Sequence, residues 1–574
     1  MEEQQIFSIT IGGQAGQGIK AAGLVFARIA TRSGKHVYTY SGYPSLIRGG
    51  HNFMQISLSG EEVTAPSEKN DFWIALDQRT ISLHLTEFLP GAGILFDEGK
   101  NYDLSGINSE VRLYPIPLSK FAKDAGGSEI LSNTVALGAS VALLGGSIDI
   151  FKDLLEEEFE HKGEEVVATN HQAAQLGYDY ANEHFPDKKQ PVLNLVENTD
   201  KLMVANGNDA VALGAIASGL QFAAIYPMSP ISSIIQTLAA NQEKYGFVYK
   251  QPEDEISAIN MSIGASIAGA RSMTATSGGG FCLMTEGLGL AGVTETPLVI
   301  IDGMRPGPAT GLPTWSGQGD LRFVLHASQG DFLKIVLAAG DAEEAFYLCM
   351  QAFNLADKYQ TPVILLIDKN ICEDDQSLSI PDISSYVVDR GKFTTDKNDS
   401  YNRYYVEEDG ISTRSIPGKG NFFITNSYEH NAAGFDSEEI SDITQQMNKR
   451  MTKLVTCAKN EDIKPELYGP DVGDITLVSW GSNKGSILEA LKKFPNVNFL
   501  HITWMNPFPS EVVKNILEKS KHIIDIECNY SASLAGLIKE KTGIEIKDYL
   551  LKYDGRPIFP EEIIAKIESV LKQN

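Results

Sequence analysis

Three side chains in the middle of this 574-residue chain have the types and placement of a reaction centre. Tyr226-Pro-Met-Ser-Pro230 closes a short apolar strand at residues 223–225, and its prolines restrict the directions in which Ser229 can point. A second strand, 247–250, runs into Gln251-Pro-Glu-Asp-Glu255 and then a helix over 256–270 rich in small residues. A third, 298–301, leads into Met304-Arg305-Pro306, a loop stiffened further by Pro308 and Pro313. Strand ends of an open α/β sheet converge on one crevice, where ligands bind. A preorganised hydroxyl can hold a carboxylate or keto oxygen, a carboxylate can manage a proton, and a guanidinium matches a carboxylate in two parallel bonds. Each residue also has a plainer reading. Ser229 could cap the helix over 231–240, Arg305 could pair with Asp302, and Glu255 could complement a helix dipole. Glu253 and Asp254 offer the same chemistry as Glu255, so local sequence leaves the choice of carboxylate open.

Two glycine-rich stretches add candidate contacts. Gly12-Gly-Gln-Ala-Gly-Gln-Gly18 follows a strand and precedes a helix, so its N–H groups could hold an anion. Gly16-x-Gly18-x-x-Ala21 is part of a dinucleotide fingerprint, but the ribose-binding acid expected about 20 residues on is missing from 36–43. NAD is therefore disfavoured, leaving another phosphate group or a tight turn that needs glycine. Arg48, in Arg48-Gly-Gly50, could supply a cation beside it. Ser277-Gly-Gly-Gly280, with Glu286, predicts close backbone approach to a cofactor, a subunit or a packed neighbour.

The elements needed to position these residues are legible as alternating strands and helices. The pattern predicts an α/β protein of three wound domains with largely parallel sheets. The boundaries read as a first domain over 1–185, a proline-punctuated linker over 186–199, and a second domain over 200–385. A polar, weakly periodic connection over 386–471, with a charged helix near 437–459, precedes a third domain over 472–574.

Composition excludes several classes. A formal charge of −26 argues against nucleic acid, whose phosphates need a basic surface, and would repel acidic electron carriers. No apolar run of about 18 residues is long enough for a membrane span. The opening Met-Glu-Glu-Gln-Gln lacks a basic region, so no signal peptide is expected. Five scattered cysteines without a C-x-x-C pair fit free thiols in a reducing cytoplasm. They argue against an iron–sulfur or zinc site in this chain, and the ten histidines form no H-x-x-x-H pair, so no metal site is expected.

The order of these pieces resembles the fused gamma–alpha subunit of the 2-oxoacid:ferredoxin oxidoreductases, most of all the 2-oxoglutarate type. Gly12–Gly18 and Pro44…Arg48-Gly-Gly50 resemble a gamma-type domain, and 200–385 a pyrimidine-binding domain for thiamine diphosphate. Val478-Ser-Trp-Gly-Ser482 resembles a transketolase C-terminal-like domain. Arg403-Tyr404…Asp409-Gly-Ile-Ser…Arg414…Pro417-Gly418 and Glu429-His430 resemble the family's connection. The resemblance implies that Glu255 contacts N1′ of the aminopyrimidine, promoting the tautomer whose nitrogen removes the thiazolium C2 proton. Tyr226 and Pro227 would flank that cofactor, Arg305 would bind the substrate carboxylate, and Ser229 would assist. Gly16, Gly18 and Arg48 would contact coenzyme A. Met228 and Ser229 depart from the family's Y-P-I-T-P pattern, although the hydroxyl survives.

The family's beta subunit carries a G-D-G…N motif for Mg²⁺ and the diphosphate, and cysteines for a [4Fe–4S] cluster. This chain has neither feature. The resemblance therefore implies an obligate beta partner, an (αβ)₂ complex sharing thiamine diphosphate, and ferredoxin docking through beta. The implied reaction is CoA-dependent oxidative decarboxylation of 2-oxoglutarate to succinyl-CoA and CO₂ with ferredoxin reduction, or its reverse. Alternatives are a pyruvate or branched-chain 2-oxoacid enzyme and a non-catalytic scaffold subunit.

Overall fold

Short apolar strands alternate with helices throughout residues 6–46, 49–195 and 202–572, which the computed structural model describes. Among these residues the strands form sheets of eight, seven and five strands, so the α/β class expected from the periodicity is the class observed. The chain divides into two compact units, the first made of Met1–Ala205, Asp374–Ile380 and Phe559–Ala565.

The first unit holds the eight-stranded sheet. Its order is Arg112–Ile116, Phe88–Asp97, Asn70–Ala75, Phe7–Gln14, His51–Ser59, His36–Gly42, Gln376–Ser379 and Leu202–Ala205. The first four strands are parallel and every later pairing is antiparallel, so the expectation of a largely parallel sheet fails here. The reason is connection length. The 43–50 link between two neighbouring strands is too short for a crossover, which takes a dozen residues or more. Strands Leu202–Ala205 and Gln376–Ser379, which flank the second block in sequence, both belong to this first sheet. Ile9, Phe26, Ile29, Val37, Ile56 and Phe72 form part of its core. Helices Ser132–Leu143 and Glu164–His184 approach closely at Gly138 and Gly177, where a Cβ would strike the facing backbone.

The second unit holds the other two sheets. The seven-stranded order is Trp504–Asn506, Ile335–Ala338, Pro362–Asp368, Leu298–Met304, Ser272–Thr276, Phe222–Ala224 and Val248–Lys250. It is parallel except for Trp504–Asn506. The five-stranded sheet is parallel except for Glu466–Tyr468. One apolar core joins them, with Ile300, Met304 and Leu366 from the larger sheet and Val478, Trp480 and Leu500 from the smaller.

Between them runs the long connection, whose Ile440–Asn460 helix presents charges inward. Lys449 and Lys453 are buried on Glu295, the latter at 2.5 Å. Burial pushes Lys449 down to about 7 against the pull of Glu295. Asp357, on the Ala342–Tyr359 helix, receives Arg271 at 2.8 Å, Arg414 at 2.7 Å and Arg390 at 3.0 Å. No helix among the described residues is long and apolar enough to cross a membrane. Removing one side of a buried pair leaves the other charge stranded, so Asp357→Asn should cost about 3–5 kcal/mol, read by chemical denaturation.

Candidate active site

The Tyr226–Pro230 turn leaves strand Phe222–Ala224 and enters helix Ser232–Tyr245. That helix is capped at Ile231 without a side-chain bond, so Ser229 is not its cap. The Ser229 carbonyl instead accepts a 2.8 Å hydrogen bond from Arg305 Nη1. Arg305 stands one residue beyond strand Leu298–Met304. Burial lowers the guanidinium's pKa, and the nearby Asp320 carboxyl opposes that shift. Asp302, the partner that sequence allowed for Arg305, is fully buried with both carboxyl oxygens unpartnered among the described residues.

The three acids that local sequence could not separate occupy different positions. Asp254 caps helix Glu255–Ile267 by accepting from the Ser257 N–H at 2.7 Å. Glu253 is exposed and accepts from Ser257 Oγ at 2.9 Å. Glu255 opens the helix, is only 3 % exposed, and its Oε1 has no hydrogen-bond partner among the described residues. A polar atom in that state is rare in a folded protein and commonly awaits a ligand.

The glycine run explains how the acids are accommodated. Helix Gly278–Val293 begins with it. A Cβ on Gly280 would lie 2.7 Å from Glu255 Oε1 and 2.8 Å from its Cγ, and would also strike Thr276 Oγ1. A Cβ on Gly278 would lie 2.5–2.6 Å from the Asp320 carboxyl atoms. Ser277 Oγ, buried beside them, also lacks a partner among the described residues. Glu286 is exposed and lines a surface cavity of about 660 Å³ with Ile256, Leu283 and Arg450.

Asp320 is the residue that sequence reasoning missed. It follows Gln318-Gly319 in the loop beyond Arg305, is half-buried with its Oδ2 out of solvent, and nothing in that local sequence signals this. Burial raises its carboxyl to about 6, while Arg305 pulls it down. Burial and the charge of Asp320 raise Asp302 well above the usual range. Gln318 fixes the loop: its Nε2 donates to Asp368 Oδ2 at 3.1 Å and to the Trp480 carbonyl at 3.0 Å. Its Oε1 accepts from Asn483 Nδ2 and from the Cys528 N–H, each at 2.9 Å. The Arg556 guanidinium sits 3.9 Å from the Trp315 ring centroid. Backbone and side-chain groups from both sheets of the unit thus hold the loop that carries Arg305 and Asp320.

The first-unit glycine turn is described separately. Gly16 and Gly18 adopt φ of 91° and 72°, the left-handed region that favours glycine. Gln17 Oε1 accepts from the Gln14 N–H at 2.7 Å, and Asn133 Nδ2 donates to the Gln17 carbonyl. Gly16, Gln17, Lys100, Ser132 and Asn133 line a cavity of about 180 Å³. Arg48 lies outside the described residues.

Gly280→Ala should displace Glu255 or Thr276. Overpacking of this kind costs about 1–3 kcal/mol, and denaturation with a crystal structure of the variant would check both effects.

Comparisons with known proteins bear on what this arrangement serves. Residues 8–180 match the family described as "Pyruvate ferredoxin/flavodoxin oxidoreductase". Residues 213–449 match "Pyruvate flavodoxin/ferredoxin oxidoreductase, thiamine diP-bdg". The chain is 32 % identical to the 2-oxoacid:ferredoxin oxidoreductase subunit alpha of a Sulfolobus species, over 98 % of this chain and 97 % of that one. It is 31 % identical to the 2-oxoglutarate synthase subunit KorA of Methanothermobacter marburgensis, over 63 % of this chain and 97 % of that one. Among solved structures it matches a 2-oxoglutarate:ferredoxin oxidoreductase from Magnetococcus marinus with 2-oxoglutarate, coenzyme A and succinyl-CoA bound. That match has a TM-score of 0.92 at 31 % identity and covers 99 % of this chain and 100 % of the other. With both sequence and fold matched over nearly its whole length, the chain belongs to the alpha subunits of the 2-oxoacid:ferredoxin oxidoreductases.

Proposed function

We propose that this oxidoreductase subunit acts in the CoA-dependent oxidative decarboxylation of 2-oxoglutarate, with Glu255 and Arg305 as its central residues. The products are succinyl-CoA, CO₂ and reduced ferredoxin. The observation that carries the assignment of residues is the buried, unpaired Glu255 oxygen in the unit that also holds Arg305 at a strand end. The 2-oxoglutarate preference is supported by what the KorA relative and the Magnetococcus structure are named for. The Sulfolobus relative is named only for 2-oxoacids, so pyruvate or a branched-chain acid is the alternative substrate.

The residues present fit thiamine diphosphate. Glu255 Oε1 needs a proton-bearing partner, and glycine at 280 leaves the carboxylate room beside the adjacent helix. When bound, the cofactor supplies the electron-accepting chemistry that lets a 2-oxoacid lose CO₂. Glu255 would hold a proton against the aminopyrimidine N1′, its shielding from water strengthening that bond. Tyr226 and Pro227 would border the ring. Arg305 would bind and orient the substrate carboxylate, with Ser229 beside it through the carbonyl contact.

Gly16, Gly18 and Arg48 are proposed as coenzyme A contacts. We assign 1–185 as the gamma-type domain and 186–199 as linker. The pyrimidine-binding domain then takes 200–385, the connection 386–471 and the transketolase C-terminal-like domain 472–574. A beta subunit would bring Mg²⁺, the [4Fe–4S] cluster and the ferredoxin dock, in a cytoplasmic complex.

The test is co-expression with a beta-type subunit, anaerobic purification, and viologen reduction with CoA and a panel of 2-oxoacids. The highest kcat/KM is expected for 2-oxoglutarate, and a clear pyruvate preference would replace the substrate. In that complex Glu255→Gln should lower kcat by about 10²-fold or more. Arg305→Ala should raise the 2-oxoacid KM by about 10²-fold, the loss of a charge-assisted carboxylate contact.

A further inference from the structure

The buried charges around the 386–471 connection do not balance. Arg271 and Arg414 pair with Asp357, and Lys449 and Lys453 pair with Glu295, all of them out of water. Arg403 is a fifth buried cation, and its Nη2 donates to the Glu295 carbonyl at 2.8 Å, not to a carboxylate. Neighbouring Arg450 is matched by Glu429 at 2.5 Å, and Arg390, which also reaches Asp357, is partly solvated. Helices Glu255–Ile267 and Gly278–Val293 end beside this cluster, at Ser266 and Thr294. Each carbonyl end carries about half an elementary negative charge, so two carboxylates and two helix ends leave about two positive charges uncompensated. Such an excess is costly to bury.

A cavity of about 20 Å³ lies at that junction. Arg403, Arg414 and Ser415 of the connection line it, together with Ser266, Thr294 and Glu295 from the helix ends. Arg403, Arg414 and Ser266 are at most 5 % exposed. Even so, Arg403 Nη1, Arg414 Nε and Nη1, and Ser266 Oγ have no hydrogen-bond partner among the described residues. Buried polar atoms are rarely left in that state. Arg414 is anchored elsewhere, through Nη2 to Asp357 at 2.7 Å, so its remaining donors are held in place. The Thr294 hydroxyl is used on the Leu290 carbonyl at 2.7 Å and meets that of Thr296 at 2.8 Å. Ser415 Oγ accepts from Asn421 Nδ2 at 3.1 Å and keeps its own proton to donate. Glu295, the carboxylate on the lining, is already held by Lys449 and Lys453.

We infer that this cavity is a halide site, in which chloride accepts from both guanidiniums and Ser266 and ties the connection to the ends of the two helices. The volume admits one water-sized particle and excludes phosphate, sulfate or an organic acid. A water is the alternative occupant. It would bring its own protons to unpaired donors and leave the excess charge uncompensated. A halide accepts from every donor and supplies the missing negative charge. Burial pushes Lys449 down to about 7 and Arg414 down to about 10, and Arg403 repels both. A bound anion opposes each of these effects. The same two helices begin at Glu255 and at the glycine run beside it, so the ion braces the far ends of the elements that carry the carboxylate.

Two measurements on the native alpha–beta complex test the site. Crystals grown with bromide in place of chloride should show an anomalous bromine peak in the cavity, in contact with Arg403 and Arg414. Thermal unfolding should respond to chloride at constant ionic strength, with gluconate as the replacement anion. The melting temperature is expected to rise by about 1–4 °C between 1 and 150 mM chloride. An Arg403→Gln variant, which removes one charge and one of the unpaired donors, should lose both the peak and the chloride response. Density for water without anomalous signal would overturn the proposal. A bromide peak with no chloride effect on unfolding would mean binding at crystal concentration only, and would overturn it as well. So would a folded variant with the full chloride response. Should the variant fail to fold, the two native measurements decide by themselves.

Discussion

A carboxyl group taken out of water must find a hydrogen-bond donor, a cation or a proton, and the second unit is organised around that requirement. Asp357 and Glu295 meet it with cations, three arginines around the first and two lysines on the second. Glu255, Asp302 and Asp320 do not meet it fully among the described residues. The difference separates two kinds of site. Paired acids hold the connection to the sheet, whereas the unpartnered acids make no such tie. These three lie around the start of one helix, and glycine at 278 and 280 is what lets two of them approach it.

Holding unpaired charge in place requires stiffness in the surroundings. The loop from Arg305 to Asp320 has no regular hydrogen bonding for most of its length, so its position comes from outside it. Gln318 uses both ends of its amide on groups from the two sheets of the unit. The resemblance of the third block to a transketolase C-terminal-like domain implied no task for that domain. The structure gives that domain a physical task, since Trp480, Asn483 and Cys528 hold the loop that bears the arginine. Reaction centres depend on such support, because small displacements of a positioned group are costly in rate.

Much of the architecture was legible because strand and helix periods differ and the strands are short and apolar. Strands read at 223–225 and 247–250 were placed to within a residue. Strand direction in the first sheet was not, since it depends on which strands become neighbours, and periodicity carries no such information. The inward charges of the Ile440–Asn460 helix were equally hidden. A charged helix normally faces solvent, and only its partners Glu295 and Glu429, distant in sequence, turn Lys449, Arg450 and Lys453 inside.

By itself the sequence determined the α/β class, the order of its three blocks, the family, and a short set of candidate residues that included Glu255 and Arg305. These are properties of composition, spacing and motif order, all of which are local or additive along the chain. Tertiary structure decided which of three adjacent acids is buried, that Ser229 offers its carbonyl to Arg305 instead of capping a helix, and that burial together with the charge of Asp320 raises the Asp302 carboxyl. The physical reason is that desolvation and pairing depend on what surrounds a group in space. Asp302 and Asp320 are separated by a loop in sequence, and only folding brings the charge of one to bear on the other.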